Sequence, residues 1–176
     1  MSIKTTSERV GLDPIEIAAL RARLRGDVLV TGAPAYEAAR RLANGRFDRR
    51  PAIIVRPLNA QDVAHAVVFA REHGLEIAVR SGGHSVPGHS AVEGGMLIDL
   101  SAMRQVAVNQ GARVARVQPG VTNGELVLAL QEYGLATTTG TCATVGMGGS
   151  TLGGGIGWLM GRFGATVDNV LAFEVV

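Results

Sequence analysis

Apolar and polar positions follow three rhythms along this chain, and each predicts a different kind of element. The first is helical. Val63, Ala66, Val67 and Ala70 fall on one face at three- and four-residue spacing, with Asn59 placed to cap the start and Gly74 to stop the end. The same reasoning predicts a helix from Pro14 to about Arg25. Asp13 is its N-cap, Pro14 its first helical residue, and Gly26 follows it. A shorter helix, roughly Ala35 to Leu42, carries Arg40 and Arg41 near its C-terminal end, where cations complement the helix dipole. Thr122 and Glu125 have capping-box spacing and open a helix that runs to about Tyr133 and closes at Gly134.

The second rhythm is that of strands. Ala52–Val55 and Met96–Leu100 are short apolar runs, while Leu75, Ile77 and Val79 alternate. Gln105–Val108 and Arg113–Val117 read as a hairpin around Asn109, Gln110 and Gly111. A last strand is expected at Val170–Val176. It stops in LAFEVV without a polar tail, which suggests a longer chain. The third rhythm is no periodicity at all, in RSGGHS at 80–85 and in the run 139–157. From Pro51 onward strands and helices follow one another in a β-α-β pattern. Residues 1–46 read as an N-terminal helical segment and 47–176 as one domain.

Composition narrows the class. A length of 176 residues suits one domain or two small subdomains, and 47% hydrophobic against 18% charged residues reads as folded rather than disordered. A single cysteine excludes an internal disulfide framework and a multi-cysteine zinc site. The opening residues lack the apolar core of a secretory leader, and no apolar run is long enough to span a bilayer. A soluble, cytoplasmic protein with no membrane partner is the expectation. The arginines at 21, 23, 25, 40, 41, 49 and 50 raise nucleic-acid binding as a rival. No recognised motif accompanies them and aromatics are only 4%, so no nucleic-acid partner is expected.

Candidate chemistry sits in the two aperiodic loops. Glycine-rich turns leave backbone N–H groups accessible to phosphate oxygens, and two such loops could straddle the two phosphates of a dinucleotide. One such loop alone is more often just a tight turn. The spacing is neither GxGxxG opening a helix after a strand nor GxxxxGK[ST], so a Rossmann domain and a Walker-type site both fit poorly. His84 lies inside the first loop and Cys142 at the lip of the second. Imidazole and thiolate are both nucleophiles able to join an electrophilic ring, although a lone histidine or cysteine is more often structural. No metal site is expected, because His84 and Cys142 lack further ligands; His65 and His89 read as helix and loop surface.

RSGGHS, followed about sixty residues later by GTCATVGMGGSTLGGGIGWLMGRFGATVDNV, resembles the FAD-linked oxidases of the p-cresol methylhydroxylase and vanillyl-alcohol oxidase superfamily. The closer likeness is to its berberine bridge enzyme-like branch, and it spans about Phe47 to Val176. The resemblance implies an α+β FAD-binding domain of two subdomains, of the p-cresol methylhydroxylase type and not Rossmann, with FAD extended between the subdomains. It implies covalent attachment of the flavin through His84, with a second link through Cys142. Val79, Arg80, Ser81, Gly82, Gly83, His84 and Ser85 would wrap the pyrophosphate from one side. Gly146, Met147, Gly148, Gly149 and Ser150 would do so from the other, with Ile156 beside the cofactor. Val145 stands where a small residue goes with molecular oxygen as electron acceptor. The implied reaction is hydride removal from a small-molecule alcohol, sugar or amine. The family's substrate domain and catalytic base have no counterpart in these residues, which leaves a non-catalytic FAD-binding module as the alternative.

Overall fold

The computed structural model describes residues 10–176 and divides them into two compact units. Residues 1–9, part of the opening in which no leader was read, lie outside the described residues. The first unit holds residues 10–80 and 84–102 together with Val176, and the second holds 81–83 and 103–175.

The first unit is built on a four-stranded sheet of order β1-β2-β4-β3. Its strands are β1 (Asp27–Val30), β2 (Ile53–Arg56), β3 (Ile77–Arg80) and β4 (Met96–Asp99). β4 pairs in parallel with β2 and β3, whereas β1 runs antiparallel to β2. The two central strands are apolar without alternation because both faces are covered. On one face α1 (Pro14–Arg23) and α3 (Ala60–Glu72) bring Ile17, Leu20, Ala66, Phe69 and Ala70 against Ile53, Val55, Met96 and Ile98. On the other, Tyr36 and Ala39 of α2 (Tyr36–Ala39) meet Ile54 and Leu97. Tyr36 is fully buried and its hydroxyl donates to the Pro51 carbonyl at 2.7 Å, so that one polar group is satisfied inside the core.

The helix signals read from sequence are present as hydrogen bonds. Asp13 and Glu16 form a capping box on α1, and Asn59 accepts from the Asp62 amide at 2.9 Å to open α3. A cap of this kind is worth about 1 kcal/mol. α1 stops at Arg23, short of the expected Arg25, because the Arg25 and Gly26 amides donate to the buried carboxylate of Asp62 instead of continuing the helix. β1 was not expected. It lies within the stretch read as helical and forms by pairing Asp27–Val30 with β2. The alternation of β3 is real, with its large apolar side chains on the exposed side. Ile77 and Val79 face out, and Ala78 and Arg80 face in.

The second unit contains the expected hairpin, β5 (Val106–Asn109) with β6 (Val114–Val117), turning at residues 110–113. It packs on α4 (Asn123–Gln131), whose Thr122–Glu125 capping box has both of its bonds. Val121, Leu126, Leu130 and Met147 form this smaller core. A short helix, α5 (Met147–Leu152), interrupts the run 139–157 that read as loop, and a second, α6 (Met160–Phe163), follows it. α5 forms in a glycine-rich run of low propensity because Met147 is fastened from outside: its amide donates to Val121 O at 2.7 Å and its side chain enters the core.

The strand expected at Val170–Val176 is not formed. A turn of 3-10 helix (Val167–Asn169) precedes it, and residues 170–176 have no sheet partner among the described residues. Leu171 and Val175 are more than 80% exposed. An apolar run alone cannot make a strand, because strand geometry needs a neighbouring edge to satisfy its backbone groups.

Candidate functional site

The segment 80–85 begins where β3 ends. Arg80 turns its side chain inward and binds Asp99 on the adjacent strand through two bonds, Nε to Oδ1 at 3.2 Å and Nη2 to Oδ2 at 2.6 Å. Its Nη1 donates to the Arg41 carbonyl at 3.1 Å. Arg56 adds a second guanidinium to Asp99 Oδ2 at 3.1 Å, and the Ser101 amide donates to Oδ1 at 3.2 Å. Burial of Asp99 by itself would raise its carboxyl, but the hydrogen bonds and charge of Arg80 outweigh it and hold the group below the usual carboxylate range. The guanidinium of Arg80 is therefore committed to the protein, and what it contributes at the loop is a fixed point of departure. His84 and Ser85 are half-buried in the first unit; Ser85 Oγ accepts from the His89 amide at 3.1 Å. The Val79 side chain is exposed.

Ser81, Gly82 and Gly83 belong to the second unit, where the two glycine-rich segments meet backbone to backbone. Ser81 Oγ donates to the Pro119 carbonyl. A Cβ added to Gly82 would lie 2.3 Å from Gly146 N, and one added to Gly146 would lie 2.0 Å from Ser81 Oγ. Neither position tolerates a side chain, so glycine here serves close approach rather than turn freedom. Gly146 then caps α5, and Gly148 donates to Pro119 O at 3.2 Å, tying the same strip together. At Gly149 the space where a side chain would stand is open. Ile156 is exposed and Ser150 half-buried.

Cys142 lies on the turn just before this strip, its side chain exposed. The Val145 amide donates to Cys142 O at 3.3 Å, and the first turn of α4 grips the same turn from behind. Asn123 N donates to Val145 O and Gly124 N to Ala143 O, each at 2.9 Å, and Asn123 Nδ2 donates to Cys142 O at 3.0 Å. Cys142 Sγ lies 3.4 Å from Thr144 Oγ1. That hydroxyl, with help from the Thr144 and Val145 amides, lowers the thiol from its ordinary value and favours thiolate, the nucleophilic form.

The donor set suits a dinucleotide diphosphate. Segments 81–85 and 139–157 contain no carboxylate to repel it, and the space beside Gly149 is open. The structure thus brings together Ser81, Gly82, Gly146 and Gly148, and sets Cys142 beside Val145. His84 belongs to the first unit and Cys142 to the second. Two supporting residues were missed in the sequence. Asp99 carried a signal, a lone acid closing the apolar run MLID. Asn123 carried none, since it sits inconspicuously inside a capping box. Among the described residues, no three His, Cys, Asp or Glu side chains come together to hold a metal ion, and no helix is long and apolar enough to cross a membrane.

Comparison with known proteins identifies the family. Residues 51–176 match the family described as FAD binding domain. The chain is 37% identical to (R)-6-hydroxynicotine oxidase of Paenarthrobacter nicotinovorans over 87% of its own length and 33% of that protein's. Its structure is similar to that of the berberine bridge enzyme-like 1 protein of Physcomitrella patens, with a TM-score of 0.82 and 34% identity, covering 88% of this chain and 34% of that one. It is similar also to Phl p 4, a grass pollen allergen with glucose dehydrogenase activity, with a TM-score of 0.81 and 32% identity, covering 89% of this chain and 35% of that one. The chain therefore spans about a third of the length of the relatives it matches. By fold, by motif and by these relationships, the chain belongs to the FAD-binding-domain family, in the berberine bridge enzyme-like branch of the p-cresol methylhydroxylase and vanillyl-alcohol oxidase superfamily.

Proposed function

We propose that this chain is the cofactor-holding part of an FAD-linked oxidase, and that it holds FAD covalently through His84 and Cys142. The observation that carries this reading is the glycine strip of Gly82 and Gly146 with an exposed, acidified thiol on the turn that leads into it. Residues 79–85 and 146–150 would line the pyrophosphate, with the hydroxyls of Ser85 and Ser150 and the amides not already bonded within the protein as donors, and Ile156 would lie against the cofactor. Bound there, FAD supplies the acceptor for a hydride leaving a carbon of an alcohol-, sugar- or amine-type substrate. Cys142 would act as thiolate and His84 through an unprotonated ring nitrogen. Each link would replace a flavin C–H bond, the protons and two electrons passing by way of the reduced flavin to molecular oxygen, and would fix the ring and lower the entropy lost in every encounter. Neutral dipoles around the ring offset negative charge that builds during reduction.

Val145 is the residue assigned to oxygen access. In the similar Phl p 4, the wild-type protein is a glucose dehydrogenase and an isoleucine-to-valine variant is a glucose oxidase. Valine at position 145 supports oxygen as acceptor in this chain by the same logic. Acid precipitation tests the covalent part: yellow colour stays in the pellet of flavin-loaded protein, His84→Ala and Cys142→Ala each remove one link, and the double variant releases all of it. A colourless wild-type pellet rejects covalent attachment.

A second reading is supported by the chain's span of a third of its relatives. On it, these residues bind FAD without turning over. Flavin bleaching by an added alcohol, sugar or amine under anaerobic conditions would reject that reading.

A further inference from the structure

We infer that Asn123 is the positioning residue for Cys142, holding the turn on which the proposed thiol link depends. This rests on the reading of Cys142 as an attachment point.

Asn123 is the first residue of α4 and only 2% exposed. Its backbone already has a structural task, donating to Val145 O at 2.9 Å. The side chain adds something else. Nδ2 reaches across to Cys142 O at 3.0 Å, while Oδ1 is buried and without a hydrogen-bond partner among the described residues. A buried amide with one unsatisfied atom is costly, and an apolar residue of similar size would fill the same space more cheaply. Helix capping does not explain it either, because Thr122 and Glu125 perform that role on α4. Among the described residues, the one polar contact of the side chain is the carbonyl of Cys142.

That carbonyl is held twice, by Asn123 Nδ2 and by the Val145 amide. With Gly124 fastening Ala143 O at 2.9 Å, the turn 142–145 is tied at three carbonyls to the start of one helix. Access from behind requires a small residue opposite. Gly140 fills that need, since a Cβ there would stand 2.8 Å from Asn123 Nδ2. The clamp leaves the Cys142 side chain facing outward beside Thr144, with its backbone immobilised. Removing the amide donor leaves the carbonyl of the reactive residue held by the Val145 amide alone and leaves the rest of α4 intact.

Asn123→Leu keeps the volume and discards both the donor and the unsatisfied acceptor; Asn123→Ala discards the donor with less bulk. The full-length chain, prepared under riboflavin limitation, is treated with iodoacetamide at neutral pH, and the rate at Cys142 is followed by mass. Separate samples are incubated with FAD, and the peptides bearing His84 and Cys142 are scored for attached flavin. Expected in both variants is a Cys142 alkylation rate changed about fivefold, on the scale of one buried hydrogen bond. Cys142-linked flavin falls by a like factor, His84-linked flavin is unchanged, and the melting temperature stays near wild type. Wild-type alkylation in both variants overturns the inference. So does a parallel fall of both links with the melting temperature, which marks a merely structural residue. If wild-type protein takes up no flavin at Cys142, the attachment reading is the one that fails, while the alkylation rates still decide the role of Asn123.

Discussion

The two units use apolar residues in opposite ways. In the first, the central strands β2 and β4 are buried on both faces, and even the charged Asp99 and Arg80 are drawn inside and paired. The second has a small core of four buried residues and leaves Leu152, Trp158, Leu171 and Val175 at least 79% exposed. It is organised by backbone contacts: glycine against glycine, a turn clamped to a helix start, an amide plugged into a neighbouring carbonyl. The first unit therefore resembles a scaffold whose stability comes from burial. The second is a scaffold whose precision comes from close approach. Substitutions should hurt the two in different currencies, stability in one and local geometry in the other.

The largest expected effect lies in the first unit. Asp99→Ala leaves Arg80 buried and Arg56 without its partner, at a cost of about 3–5 kcal/mol in chemical denaturation. Hydrogen exchange should show the loosening in β3 and β4 while α4 and the hairpin keep their protection; uniform loosening would erase the distinction between the units. Acid offers a gentler version. The folded-state carboxyl of Asp99 lies below its unfolded value, of about 3.9. Its contribution is thus complete above that value and lost as pH falls through the folded one. Wild-type stability should fall in this acid range more steeply than that of Asp99→Asn, and equal slopes would show that Asp99 contributes nothing.

Gly82→Ala comes next. Its Cβ would collide with Gly146 N, and overpacking of this kind costs about 1–3 kcal/mol. The sharper readout is flavin retention, which should drop far more than stability does, because the displaced atoms are the proposed cradle itself. Retention unchanged in a folded Gly82→Ala protein would detach the cradle from the cofactor. The smallest effect is Thr122→Ala, which removes the cap of α4 for about 1 kcal/mol. It should leave flavin content intact, as measured by absorbance per protein, since the Asn123 and Gly124 bonds to the turn remain.

How much of this was legible depended on the distance over which each signal acts. The caps of α1, α3 and α4 and the β5–β6 hairpin were readable, because their cause lies within a few residues of their effect. The two glycine-rich segments were recognisable as a pair by resemblance, and the contact between Gly82 and Gly146 gives that pairing a steric reason. β1 was missed because it exists only through its partner β2, and the strand expected at 170–176 is absent because it has no partner edge among the described residues. The alternation of β3 was readable, but which of its faces is buried was not, because a carboxylate 19 positions away pairs with Arg80 on the inner side.

The amino-acid sequence by itself determined where α1, α3 and α4 begin, where the β5–β6 hairpin turns, and that glycine must stand at two separated loops. These follow from local propensity, capping chemistry and the volume of each side chain. Only the tertiary structure decided that Arg80 serves Asp99, that Gly82 meets Gly146, and that Asn123 holds the carbonyl of Cys142. Each of those pairs is far apart along the chain, and a hydrogen bond or a steric gap between distant residues leaves no periodic trace in the order of the amino acids.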